Sequence, residues 1–77
     1  MSKNTEIRVA VDTDFLKKVQ KKLGLTKSTD ITRAALTLLD WASDEMESNR
    51  VILSTNQNGE EIHRLVMPEL SKIKVVS

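Results

Sequence analysis

Thr5-Glu6-Ile7-Arg8-Val9-Ala10-Val11 is the stretch on which the fold turns. Apolar and other residues alternate along it. Ile7, Val9 and Val11 fall on one face, and Glu6, Arg8 and Ala10 fall on the other. A period of two with β-branched residues on the apolar side predicts a half-buried β-strand. Immediately after it, Asp12-Thr13-Asp14 offers side-chain acceptors for the free N–H groups of a helix start, with carboxylates suited to the helix dipole. From Phe15 the period becomes helical. Phe15, Leu16, Val19 and Leu23 form one stripe, and Lys17, Lys18, Gln20, Lys21 and Lys22 face away from it.

Gly24 is placed to end this helix in the left-handed conformation that costs glycine nothing, with Leu25 as the apolar contact of the cap. Thr26 is the expected N-cap of a second helix, and Ser28 competes for that role. Ile31, Ala34, Ala35, Leu38, Leu39, Ala42 and Met46 give the second helix a long apolar face that Trp41 widens. Its last turn is acidic, with Asp44, Glu45 and Glu47. Charge of that sign opposes the dipole, so the end is expected to fray. Beyond it, Val51–Thr55 and Glu61–Val66 flank Asn58-Gly59, a strong hairpin signal. A two-residue turn there would pair Thr55 with Ile62 and Val51 with Val66. Pro68 stops the second strand, because it has no N–H for a ladder. The closing segment from Glu69 is expected to be a flexible tail.

The composition narrows the class. The 77 residues include one Trp, one Phe and no Tyr, too little aromatic bulk to anchor a large monomeric core. Two chains pooling their half-cores would relieve the shortage. Cysteine is absent, which excludes disulfides and thiolate metal sites. No apolar run has the length of a membrane span, and Met1 to Glu6 lack the apolar core of a signal peptide, so a cytoplasmic protein is expected. The net charge of +1 is unevenly spread. Residues 1–39 hold eight basic and four acidic side chains, a net +4, and residues 40–77 hold four and seven, a net −3. A basic front and an acidic back suit a chain that turns one face to a polyanion.

A lone strand leaves its N–H and C=O groups without a ladder. The hairpin could pair with residues 5–11 inside one chain, giving a monomeric βααββ interaction domain. Alternatively the same strand of a second chain pairs with it about a two-fold axis. The second arrangement puts Ile7, Val9 and Val11 of both chains over a shared helical core and turns Glu6, Arg8 and Ala10 outward as a ribbon. Such a ribbon fits the DNA major groove, where every base pair shows a distinct donor and acceptor pattern.

The ordered string of this strand, a short amphipathic helix, Gly24-Leu25-Thr26-Lys27-Ser28 and a second helix opening Ile31-Thr32-Arg33-Ala34-Ala35-Leu36 resembles the ribbon-helix-helix family of bacterial and phage regulators, to which Arc and MetJ belong. The resemblance covers residues 5–42. It implies an α+β fold: a homodimer with an intersubunit two-stranded antiparallel ribbon and four helices, here followed by a C-terminal β-hairpin. Residues 1–48 would form the DNA-binding domain and residues 49–77 an extension. The resemblance assigns base contacts to Glu6, Arg8 and Ala10, and phosphate contacts to the start of the second helix at Thr26, Lys27 and Ser28. Free N–H groups and the dipole favour phosphate at such a helix start. Lys3 and Asn4, on the polar arm before the strand, could also reach phosphate.

Arg8 is the strongest reader, since a guanidinium bonds guanine O6 and N7 together. Glu6 is repelled by phosphates but can accept from cytosine N4, orient Arg8, or pair across the ribbon. Ala10 can meet only a thymine methyl. His63, the single histidine, has no second ligand at a suggestive spacing, so neither a metal nor a cofactor is expected. No nucleophile, base and oxyanion set is present, and Asp12 with Asp14 reads as capping; an enzyme is not expected. The expected function is that of a small dimeric transcriptional repressor on double-stranded DNA, with neighbouring dimers able to associate. Three alternatives stay open: an antitoxin whose residues 50–77 bind a toxin protein, a plasmid partition or mobilisation accessory, and the monomeric interaction domain.

Overall fold

Asp12 opens helix α1 (Thr13–Leu23) as its sequence position requires: Phe15 N–H donates to the Asp12 carboxylate at 2.9 Å. The computed structural model describes residues 4–76. Asp14 lies in the first turn of α1 and Lys21 and Lys22 in the last, so both ends complement the helix dipole. Gly24 adopts φ 67°, and the N–H groups of Gly24 and Leu25 both donate to the Gln20 carbonyl. That left-handed cap is the one expected for glycine after the last helical residue. Replacing Asp12 with alanine removes the side-chain acceptor and is expected to cost about 1 kcal/mol, read as a lower midpoint in urea unfolding.

Helix α2 (Ser28–Glu47) runs for 20 residues. Ser28 is its first helical residue, and Ile31 N–H bonds the Lys27 carbonyl at 3.3 Å. The expected fraying at its acidic end does not occur. Asn49 takes the left-handed conformation at φ 63°, and its N–H bonds the Met46 carbonyl at 3.1 Å. Arg50 N–H reaches back to the Glu45 carbonyl at 2.9 Å, and the Arg50 guanidinium pairs with the Glu45 carboxylate at 3.3 Å. These are the two paired bonds of a Schellman cap. Asparagine tolerates this conformation better than other non-glycine residues, and the cap satisfies carbonyls that the acidic side chains would leave exposed.

Strands β1 (Leu53–Ser54) and β2 (His63–Arg64) form a two-stranded antiparallel sheet in which Leu53 faces Arg64 and Ser54 faces His63. Thr55 opposite Ile62 and Val51 opposite Val66 belong to the same register, so the expected pairing is met. The turn differs. Its central residues are Gln57 and Asn58, closed by Gly59 N–H to the Asn56 carbonyl at 3.0 Å. The Asn56 side-chain oxygen accepts from Asn58 N–H at 3.1 Å and from Glu60 N–H at 2.8 Å. Asn56 thus draws the turn one residue earlier than Asn58-Gly59 alone would place it. Gly59 at φ 78° and Glu61 at φ 54° then absorb the extra residues and restore the register.

The closing segment has more order than a tail. Pro68 is the first residue of a one-turn helix α3 (Pro68–Ser71), which suits proline because the first helical N–H has no partner in any case. Leu70 is buried, and Val76 N–H donates to the Glu47 carbonyl at 2.8 Å.

The chain divides into two compact units, Met1–Ile31 and Thr32–Ser77, with the division inside α2. In the first unit no described residue is buried; Leu16, Val19, Leu25 and Ile31 are half-buried. In the second, Ala42 and Leu70 are the buried hydrophobic residues among those described, with Ile52, Met46, Met67 and Ile73 half-buried. No helix among the described residues is long and apolar enough to cross a membrane.

Candidate nucleic-acid interface

Residues 4–12 precede α1 without any helix or strand assignment, and all of them are exposed. The sheet consists of β1 and β2, so residues 5–11, expected as a strand, take no ladder partner within the described chain. Strand hydrogen bonds are made between segments, and the alternation of residues 5–11 is a preference that only a second segment can realise. The apolar set is as exposed as the polar one: Ile7 at 64%, Val9 at 71% and Val11 at 47%.

Glu6, Arg8 and Ala10 sit on this exposed segment. The Arg8 guanidinium makes no ion pair among the described residues, where the one salt bridge joins Arg50 to Glu45. An unpaired arginine on unpaired backbone has its donors available to a ligand. Alternation puts Glu6, Arg8 and Ala10 on one side when the segment is extended.

The second part of the site lies between the helices. Gln20 at the end of α1 donates its side-chain N–H to the Thr26 carbonyl at 3.0 Å. This bond ties the Gly24–Lys27 turn to α1 and fixes the direction from which the chain enters α2. Gln20, Lys21, Gly24, Leu25 and Thr26 line a shallow concavity there. Thr26, Lys27 and Ser28 are all exposed. Ser28 opens α2, so the start of that helix presents N–H groups and a lysine to solvent, with Asp30 in the first turn reducing the positive field.

The structure therefore keeps the expected residues in two exposed sets, one on residues 4–12 and one at the turn into α2. Asn4 belongs to the first set and is exposed; Lys3 lies outside the described residues.

Sequence reasoning missed Leu36 and the residues that meet it. Leu36, Leu39, Asp40 and Ser43 on α2 line an open groove with Glu69, Leu70 and Ile73. The signal was present, since Leu36, Leu39 and Ser43 follow helical spacing on their own. The stronger stripe through Leu38 and Ala42 masked it, and Pro68 read as a strand stop hid the helix that supplies Leu70. No family model, curated protein or solved structure matches the chain.

Proposed function

We propose that the chain is one subunit of a homodimeric, sequence-specific DNA-binding protein of the cytoplasm, a small repressor that inserts a two-stranded ribbon of residues 5–11 into the major groove. The observation that carries this reading is the exposed, unladdered alternation of Ile7, Val9 and Val11 against Glu6, Arg8 and Ala10. Pairing with the same segment of a second copy satisfies the backbone, buries the three apolar side chains and turns the two Arg8 residues to one side.

Surface area supports the dimer. A folded monomer of 8.7 kDa exposes about 4,700 Å² by the usual scaling with mass. This chain exposes 7378 Å². The excess of roughly 2,600 Å² per chain lies in the range that obligate dimers bury. DNA fits the charge: the ribbon and the start of α2 belong to the half with a net +4. The hairpin cap at Asn56 and the Val76–Glu47 bond give residues 50–76 a fold of their own in the free chain. That favours the repressor over an antitoxin, whose toxin-binding segment orders on its partner.

The test combines mass and salt. Sedimentation should give the mass of two chains, and a single-chain mass would sink the ribbon. With Lys3 and Lys27 of both subunits on phosphates, log affinity against log salt should fall with a slope of about −4. Lys27→Ala should flatten that slope by about 2, reading the same on every DNA sequence. An unchanged slope removes Lys27 from the phosphate contacts.

A further inference from the structure

Helix α2 carries apolar side chains on two sides. Successive residues turn by about 100°, so Leu36 and Leu38, like Leu39 and Trp41, lie about 200° apart. All four are exposed. One packing partner cannot cover both sides. If the twin α2 covers Leu38 and Trp41, the groove of Leu36, Leu39, Leu70 and Ile73 on the other side still stands open, with Asp40 and Glu69 among its lining residues.

We propose that this groove is a second subunit contact, filled by helix α1 of the other copy, with Phe15 seated among the leucines and Lys18 and Lys22 beside Asp40 and Glu69. The inference rests on the dimer reading and adds to it a contact beyond the ribbon and the twin α2 helices. The fit is chemical. In α1, Leu16 and Val19 are already half-buried, whereas Phe15 is 56% exposed. Lys18 and Lys22 fall on the Phe15 edge of the helix, within about 60° of it. That edge therefore offers one aromatic ring and two cations. The groove offers four apolar side chains and two carboxylates. Residues 1–39 and 40–77, at net +4 and −3, attract each other twice in a two-fold exchange. A ribbon and one helix pair leave much of the excess surface uncovered, and exchange of α1 accounts for more of it.

The absence of cysteine makes the test clean. One chain carries Phe15→Cys, and a differently tagged chain carries Leu36→Cys or Leu39→Cys. The chains are unfolded together, refolded and oxidised in air. The expected result is a mixed disulfide with at least one groove position, since bonding requires Cα atoms within about 7 Å. A second measurement covers the chance that the cysteine variants misfold. Asp40→Lys with Glu69→Lys in one chain, or Lys18→Glu with Lys22→Glu in the other, should each weaken the dimer roughly tenfold, and mixing the two should restore it. A two-chain mass with neither mixed disulfide nor restoration overturns the groove contact alone. A one-chain mass for the unaltered protein overturns the dimer and this contact with it.

Discussion

Arg8→Ala is expected to abolish sequence-selective DNA binding while leaving the protein folded. The dimer presents Arg8 twice, and each bidentate guanine contact discriminates by about 1–3 kcal/mol. Two copies give about 2–6 kcal/mol, a loss of roughly thirty-fold to more than ten-thousand-fold on the specific site. Stability should hold, because Arg8 is exposed and makes no ion pair among the described residues. Non-specific affinity should fall little, since it resides in lysines at the phosphates. Arg8→Lys separates charge from shape: it keeps the cation and loses the planar fork, so selectivity should fall almost as far as in the alanine variant. Gel shifts of specific and scrambled DNA at one salt concentration read both quantities. If Arg8→Ala retains the parent's preference for its site, the ribbon is not the reader.

The narrowness of this reading surface follows from its residues. Glu6 brings a carboxylate to a polyanion, and Ala10 has only a methyl to offer a base. Selectivity then rests on few direct contacts per half-site, and affinity rests on the turn into α2. The Gln20–Thr26 bond and the left-handed Gly24 matter for that reason: they hold Thr26, Lys27 and Ser28 in a fixed relation to α1.

Local chemistry made much of this chain legible. Asp12 as a cap, Gly24 as a stop and the hairpin register each depend on residues within a few positions of one another, and the structure has them as read. What escaped depends on bonds that a pattern cannot see. The turn shifted because Asn56 spends its side-chain oxygen on two N–H groups beyond it. The end of α2 held because Asn49 and Arg50 cap it and Val76, 29 positions beyond Glu47, returns to bond it. The alternation of residues 5–11 was plain, yet a strand is a relation between two segments, and one chain supplies only one of them. For the candidate site, the residue types were readable, and their exposure on two separate segments was not.

The dimer carries the second large effect, through Leu38. Leu38 is 64% exposed in the single chain, where its truncation to alanine should cost within about 0.5 kcal/mol. In a dimer that buries Leu38 and Trp41 between twin α2 helices, the same change leaves a cavity costing about 2–5 kcal/mol per chain and twice that per dimer. A 77-residue chain has a net stability of about 4–12 kcal/mol, so Leu38→Ala should remove most of it. The two cases differ enough for one titration to decide between them. Trp41, the single tryptophan and 49% exposed in the chain, is the reporter. Its emission should shift to the red as the parent is diluted, and the urea midpoint should rise with protein concentration, as mass action requires of a dimer. In Leu38→Ala the red-shifted state should appear at concentrations at least a hundred times higher, the equivalent of about 3 kcal/mol. A midpoint independent of concentration, with Leu38→Ala as stable as the parent, would mean that this face of α2 meets water and not its twin.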